Sequence, residues 1–153
     1  MTTRLNYFDN APKGMEILMQ QEDYLRGQFL ESDSVNLAMW ELVKLRISQI
    51  NQCAFCIDMH SKDALKAGET AQRIIGLSAW KDMPWYTQNE RMALSWAEQL
   101  SAGQPISDAL YRKAHEAFGE PSLVDLTIAI NAINSWNRIA KAFTSKVGSY
   151  TPS

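Results

Sequence analysis

What most restricts the fold of this chain is a run in which hydrophobic side chains point every way around a helix. Over residues 35–47 it carries Val35, Leu37, Met39, Trp40, Leu42, Val43, Leu45 and Ile47. At 3.6 residues per turn these positions encircle the axis rather than marking one stripe. A helix that is apolar on all sides must be enclosed by other elements, so the rest of the molecule is expected to pack around it. Ser34 is a reasonable N-cap for this helix, and the pattern continues to Gln49.

The surrounding patterns are helical as well. Met15, Leu18, Met19, Leu25 and Phe29 recur at helical spacing and predict a first helix over residues 12–29. A third helix begins at Cys53 and ends before Gly68, a candidate C′ glycine. A short fourth starts at Thr70 and covers Ile74, Ile75 and Leu77, and residues 81–86 read as a loop. Thr87 and Glu90 have capping-box spacing and open a fifth helix. Its buried stripe is Met92, Ala93, Trp96 and Leu100, and Gly103 lies past its end. A sixth runs over residues 107–118 and stops at Gly119. A seventh opens at residues 121–125 with a looser capping box and continues to about Lys146, and the residues after Gly148 are expected to fray. No strand alternation is evident. The expectation is an all-α fold: a single compact domain of about seven helices over residues 1–153.

Composition narrows the functional classes. Hydrophobic residues make up 46% and charged residues 21%, so the chain buries a proper core. With a net charge of −2 and no Lys/Arg block, it lacks the footprint of a nucleic-acid binder or a membrane-seeking surface. No stretch reaches the length of a membrane span, and the first residues lack the apolar run of a signal peptide. The expected location is the cytoplasm. In that reducing compartment a close cysteine pair does redox chemistry or binds metal more often than it forms a structural bridge.

The chain has two cysteines, and they stand three residues apart in Cys53-Ala54-Phe55-Cys56-Ile57-Asp58-Met59-His60. On a helix, Cys53, Cys56 and His60 share one stripe. The pair sits in the opening turns, where unpaired N–H groups and the helix dipole favour a thiolate, and His60 adds a charge or a base one turn beyond Cys56. Glu41 is placed by arithmetic. If the chain reverses near Asn51, Glu41 lies ten residues before the pivot and His60 nine after it. At ~1.5 Å per residue both stand about 15 Å from the turn. The two then face each other, and a carboxylate orients an imidazole beside a nucleophile. The residues alone leave open a Cys–Cys–His zinc set with Glu41 as fourth ligand, or two inert buried thiols. Ile57 after Cys56 excludes c-type haem attachment. Trp40 is read as a core anchor, and His115 as structural or exposed. Trp80, Met83, Trp85 and Tyr86 are assigned to core or interface rather than to a substrate entrance. The apolar girdle of the second helix suits a subunit interface.

A Glu, a CxxC pair twelve positions later and a His four beyond the second Cys resemble the core of the alkylhydroperoxidase D-like proteins, of the carboxymuconolactone decarboxylase family. Glu41, Cys53, Cys56 and His60 match each element, and the closest likeness spans residues 35–70. The resemblance implies an all-helical trimer or hexamer that reduces a hydroperoxide. In it Cys56 is the attacking thiol, Cys53 resolves its sulfenic acid to a disulfide, and Glu41 with His60 relays protons. It also implies a dithiol reductant, a lipoyl group on a partner protein in the best-known members, and no cofactor or metal. The alternatives are a thiol–disulfide oxidoreductase and a non-enzymatic redox sensor or zinc-binding module. One position departs from the pattern: where such peroxidases carry a second His just before the second Cys, this chain has Phe55.

Overall fold

The computed structural model describes residues 4–152. Among the described residues there are eight α-helices and no strands: α1 Tyr7–Asn10, α2 Pro12–Glu31, α3 Leu37–Ile50, α4 Ala54–Lys66, α5 Ala71–Gly76, α6 Gln88–Ser101, α7 Asp108–Phe118 and α8 Glu120–Phe143. The central role of the apolar run is evident in the packing. Helix α3 lies against α4, α8, α6 and α2, and Leu42, Val43, Leu45 and Ile47 are each at most 1% exposed. The main core joins Trp40, Val43 and Ile47 of α3 to Leu25 and Phe29 of α2, Trp96 of α6 and Leu126, Ile130 and Ile133 of α8. The chain thus covers the girdle of α3 with its own helices, and the girdle is not left over for a second subunit.

A smaller core forms on the other side of α3, where Leu42, Leu45 and Leu94 meet Leu77, Trp80 and Tyr86. The indole of Trp80 donates to Glu98 Oε1 at 2.8 Å, and Arg46 Nε donates to the same oxygen at 2.8 Å. Trp80 and Tyr86 therefore belong to the core, with Met83 packed against it, and not to a substrate entrance.

Local signals explain most boundaries. Thr87 and Glu90 form a complete capping box, and Gly68 takes φ +99° just past α4, a conformation that penalises any Cβ. Several ends differ from expectation. Asn36, not Ser34, caps α3 by accepting from the Met39 N–H, while the Ser34 hydroxyl donates to the Phe118 carbonyl. Helix α8 begins one residue after Gly119 with no side-chain cap and ends at Phe143, because Thr144 turns left-handed. The predicted fourth helix is α5 followed by a 3-10 turn over Leu77–Ala79. The additional helix α1 is a single turn, too short for a periodic signal; Asn6 caps it from the Phe8 N–H.

The segment after α8 is held rather than frayed. Tyr150 donates its hydroxyl to Asp63 Oδ1 at 2.7 Å, and Lys62 Nζ donates to the Tyr150 carbonyl at 3.0 Å. Asp58 Oδ2 accepts from the Gly148 N–H at 3.2 Å. Three residues on one face of α4 thus fasten the tail across it.

Candidate active site

The reversal between α3 and α4 is tight. Asn51 ends α3, Gln52 adopts φ +52°, and Cys53 begins α4 as its N-cap residue. A left-handed non-glycine residue persists only where its surroundings fix it. Here Asn51 Nδ2 donates to both Asn134 Oδ1 and Asn137 Oδ1 of α8 at 2.9 Å, and the Cys53 N–H donates to the Ser48 carbonyl at 3.0 Å. Asn137 is fully buried and donates in turn to Ser48 Oγ. This amide network sets the angle of the hairpin, and the hairpin brings Glu41 level with His60.

Glu41 Oε2 accepts from His60 Nδ1 at 3.1 Å. A carboxylate can only accept, so Nδ1 carries the proton and Nε2 is left for other chemistry. His60 is 4% exposed and lies one turn beyond Cys56 on α4. The second Glu41 oxygen accepts from Lys44 Nζ at 2.5 Å, and that ammonium lies 3.7 Å above the centre of the Trp40 ring. Burial alone would raise the Glu41 carboxyl; the hydrogen bond from His60 and the charge of Lys44 outweigh it and hold the group below its ordinary value. Trp40 packs on Phe29 with ring centres 5.2 Å apart, as expected of a core anchor.

Cys53 and Cys56 are joined as a disulfide with a Cα separation of 5.3 Å. Ala140 of α8 and Phe55 pack against the pair. The two sulfurs differ in access. Cys56 lines a cavity of about 520 Å³ together with Glu41, His60 and Lys44, and Cys53 does not line it. Cys56 is also the third residue of a 13-residue helix, within reach of the unpaired N–H groups of the first turn. In this oxidised state neither sulfur is a thiolate ligand. The cluster of candidate metal donors is instead Glu41, His60 and Asp63, with donor atoms within 4.8 Å of one another. Lys44 already occupies one oxygen of that set.

Sequence reasoning missed the far walls of this cavity. Glu22 enters from α2, and its Oε1 accepts from Trp136 Nε1 of α8 at 3.0 Å. Burial pushes its carboxyl up, more strongly than Lys44 and Trp136 pull it down. The signal was present: Leu18, Glu22, Leu25 and Phe29 are spaced four, three and four apart, so Glu22 interrupts an inward stripe. Lys44, three residues after Glu41 in an apolar helix, was readable as its partner. Tyr150 carried no local signal. His115 stands apart, 3.6 Å from Glu120.

Tyr150 also yields a spectroscopic prediction. Burial and its bond to Asp63 push the phenol up to about 12. In ultraviolet pH titrations, the difference between wild type and Tyr150→Phe should therefore show a midpoint about two units above a free tyrosine. A midpoint near 10 would place the ring in water and remove the tail from the cavity wall.

Taken together, fold and site are those of a small helical CxxC protein. Residues 16–99 match the model of the carboxymuconolactone decarboxylase family, and the chain belongs to that family as an alkylhydroperoxidase D-like member. It is 42% identical over 151 residues to the uncharacterized protein YdfG of Bacillus subtilis, covering 97% of this chain and 99% of that protein. The crystal structure of ATU0492 from Agrobacterium tumefaciens, a protein of unknown function offered as an antioxidant-defence AhpD, superposes with a TM-score of 0.87 at 36% identity. That match covers 97% of this chain and 100% of the other. The debrominase Bmp8 shares the fold at 14% identity and a TM-score of 0.79, with 93% of this chain and 75% of Bmp8 covered. Among the described residues, no helix is long and apolar enough to cross a membrane.

Proposed function

We propose that this protein is a thiol peroxidase that reduces organic hydroperoxides or hydrogen peroxide through the Cys53–Cys56 pair, in antioxidant defence. The observation that carries the reading is the asymmetry of the pair: Cys56 lines the cavity beside the Glu41–His60 couple and Cys53 lies behind it. In the reduced protein, His60 Nε2 takes the Cys56 proton while Glu41 holds the imidazole through Nδ1. The thiolate attacks the distal peroxide oxygen, the O–O bond breaks, and an alcohol and Cys56 sulfenic acid are formed. The Cys53 thiol displaces water from the sulfenic acid and closes the disulfide. A dithiol then reduces it by two exchanges, leaving as its own disulfide. A lipoyl group on a partner protein suits that role. The working unit in this reading is a cytoplasmic homo-oligomer, a trimer or hexamer.

The test begins with reduced wild-type protein and one equivalent of tert-butyl hydroperoxide. Both thiols should disappear together with release of one equivalent of tert-butanol, and dihydrolipoamide should make the reaction catalytic. Thiols that survive while the pair still exchanges with small disulfides would replace the peroxidase reading with that of a thiol–disulfide oxidoreductase.

A further inference from the structure

Besides Glu41, three carboxyl groups line the cavity and have no part in the steps above: exposed Asp23, Asp63, which is bonded to Tyr150, and Glu22. Glu22 approaches from α2, on a different helix from both Glu41 and His60, and lines the same space as Cys56. Its Oε1 is fixed by the Trp136 indole, which can only donate, so this oxygen stays an acceptor and Oε2 is the one left to carry a proton. The titratable groups that act on it are Lys44 and Glu41 on α3 and His60 on α4; Arg26, one turn on along α2, lines the same cavity but forms no ion pair with Glu22 among the described residues. Lys44 is already paired with Glu41 at 2.5 Å, so Glu22 has no counter-ion of its own among them. Burial accordingly favours its neutral, protonated form.

The chemistry of the site has a place for such a group. When Cys56 attacks the distal oxygen of a hydroperoxide, the proximal oxygen departs as an alkoxide, a strong base that needs a proton as the O–O bond breaks. The Glu41 carboxylate is held below its ordinary value and carries no proton at neutral pH, and His60, which holds the proton taken from Cys56, is the competing donor that the Glu22 variants below distinguish. We propose that Glu22 is the general acid of this site, delivering its carboxyl proton to the departing alkoxide. The proposal rests on the peroxidase reading given above. The step balances: Cys56 thiolate, hydroperoxide and the Glu22 acid give Cys56 sulfenic acid, alcohol and the Glu22 carboxylate. The S–O bond forms, the O–O bond breaks, sulfur is oxidised by two electrons and the peroxide is reduced by two. The proton that His60 took from Cys56 then passes through solvent to the Glu22 carboxylate before the next turnover, so the cycle consumes no net proton.

A leaving group that needs no proton makes the role separable from a structural one. Peroxybenzoic acid expels benzoate, which is stable as an anion at neutral pH; tert-butyl hydroperoxide expels a tertiary alkoxide, which is not. The measurement is the second-order rate of peroxide loss after mixing with pre-reduced protein, so that disulfide reduction does not enter. Glu22→Gln keeps an oxygen for Trp136 and loses the proton. It should slow the reaction with tert-butyl hydroperoxide by about 100-fold or more, in the range for loss of a general acid. With peroxybenzoic acid it should stay within about twofold of wild type, which also reports that the variant is folded. Glu22→Asp, which restores an acid, should recover part of the lost rate with tert-butyl hydroperoxide alone. Equal losses with both peroxides, or none with either, would overturn the proposal and leave the peroxidase reading standing. Pre-reduced wild type that consumes neither peroxide would overturn both.

Discussion

Replacing Cys56 by serine is expected to bring hydroperoxide turnover down to the uncatalysed background, a loss of at least about three orders of magnitude by comparison with other nucleophile knockouts. A serine hydroxyl is not ionised by a helix N-terminus, and oxygen cannot take the peroxide oxygen as sulfur does. The companion variant should behave differently. Cys53→Ser should still attack one equivalent of peroxide, then stop at a sulfenic acid that a dimedone probe labels on Cys56. The contrast follows from the geometry, since Cys56 lines the cavity and Cys53 does not. Labelling of Cys53 in the Cys56→Ser variant, with turnover kept, would reverse the assignment of the two sulfurs.

The second large effect should come from Glu41→Gln. The amide keeps an acceptor oxygen for only one of Lys44 and His60, turns an N–H toward the other, and carries no charge. Lys44, 7% exposed, loses its counter-ion, and the imidazole loses the anion that steadies its charged form. The expected fall in peroxide turnover is about 10²- to 10⁴-fold. Exchanging a charged acceptor for a neutral one should also lower stability by about 2 kcal/mol. For a domain of this size that is about 4–8 °C in Tm. The stability loss has a definite pH dependence. The Glu41 carboxyl is held below its ordinary value of 4.5, so its contribution is complete above that pH and disappears as pH falls below it through the lower native value. Denaturant titrations should therefore show wild type and variant well separated at pH 7 and converging in acid below 4.5. A separation that stays constant with pH would mean that the Glu41 charge does not stabilise the fold.

The part of this site legible in the sequence was the part written within one hairpin. Cys53, Cys56 and His60 are related by helical spacing alone, and Glu41 by equal arm lengths about Asn51. Both relations need only a rise per residue and one turn. The burial of α3 followed from its apolar girdle for the same reason. The opposite wall joins Glu22 and Trp136, 114 residues apart in the chain, and no local pattern encodes which residues of α2 and α8 meet. The capping error at Ser34 is of a similar kind. Ser34 and Asn36 are both competent caps, and a distant carbonyl, that of Phe118, decides between them by accepting the Ser34 hydroxyl. The tail was misread because terminal segments have few local contacts, whereas Asp58, Lys62 and Asp63 supply three from α4.

The fastening of Tyr150 to Asp63 also bears on how the protein is made. The two residues are 87 positions apart, so at roughly 5–20 residues per second a ribosome needs on the order of ten seconds to add the tyrosine after the aspartate. During that interval α8 and the tail are incomplete, and the Cys53–Cys56 hairpin lacks Ala140 for most of it and Tyr150 for all of it. The nascent chain passes through a stage in which its most reactive atoms are also its least covered. Oxidants and thiol reagents present during translation meet a different molecule from the finished one.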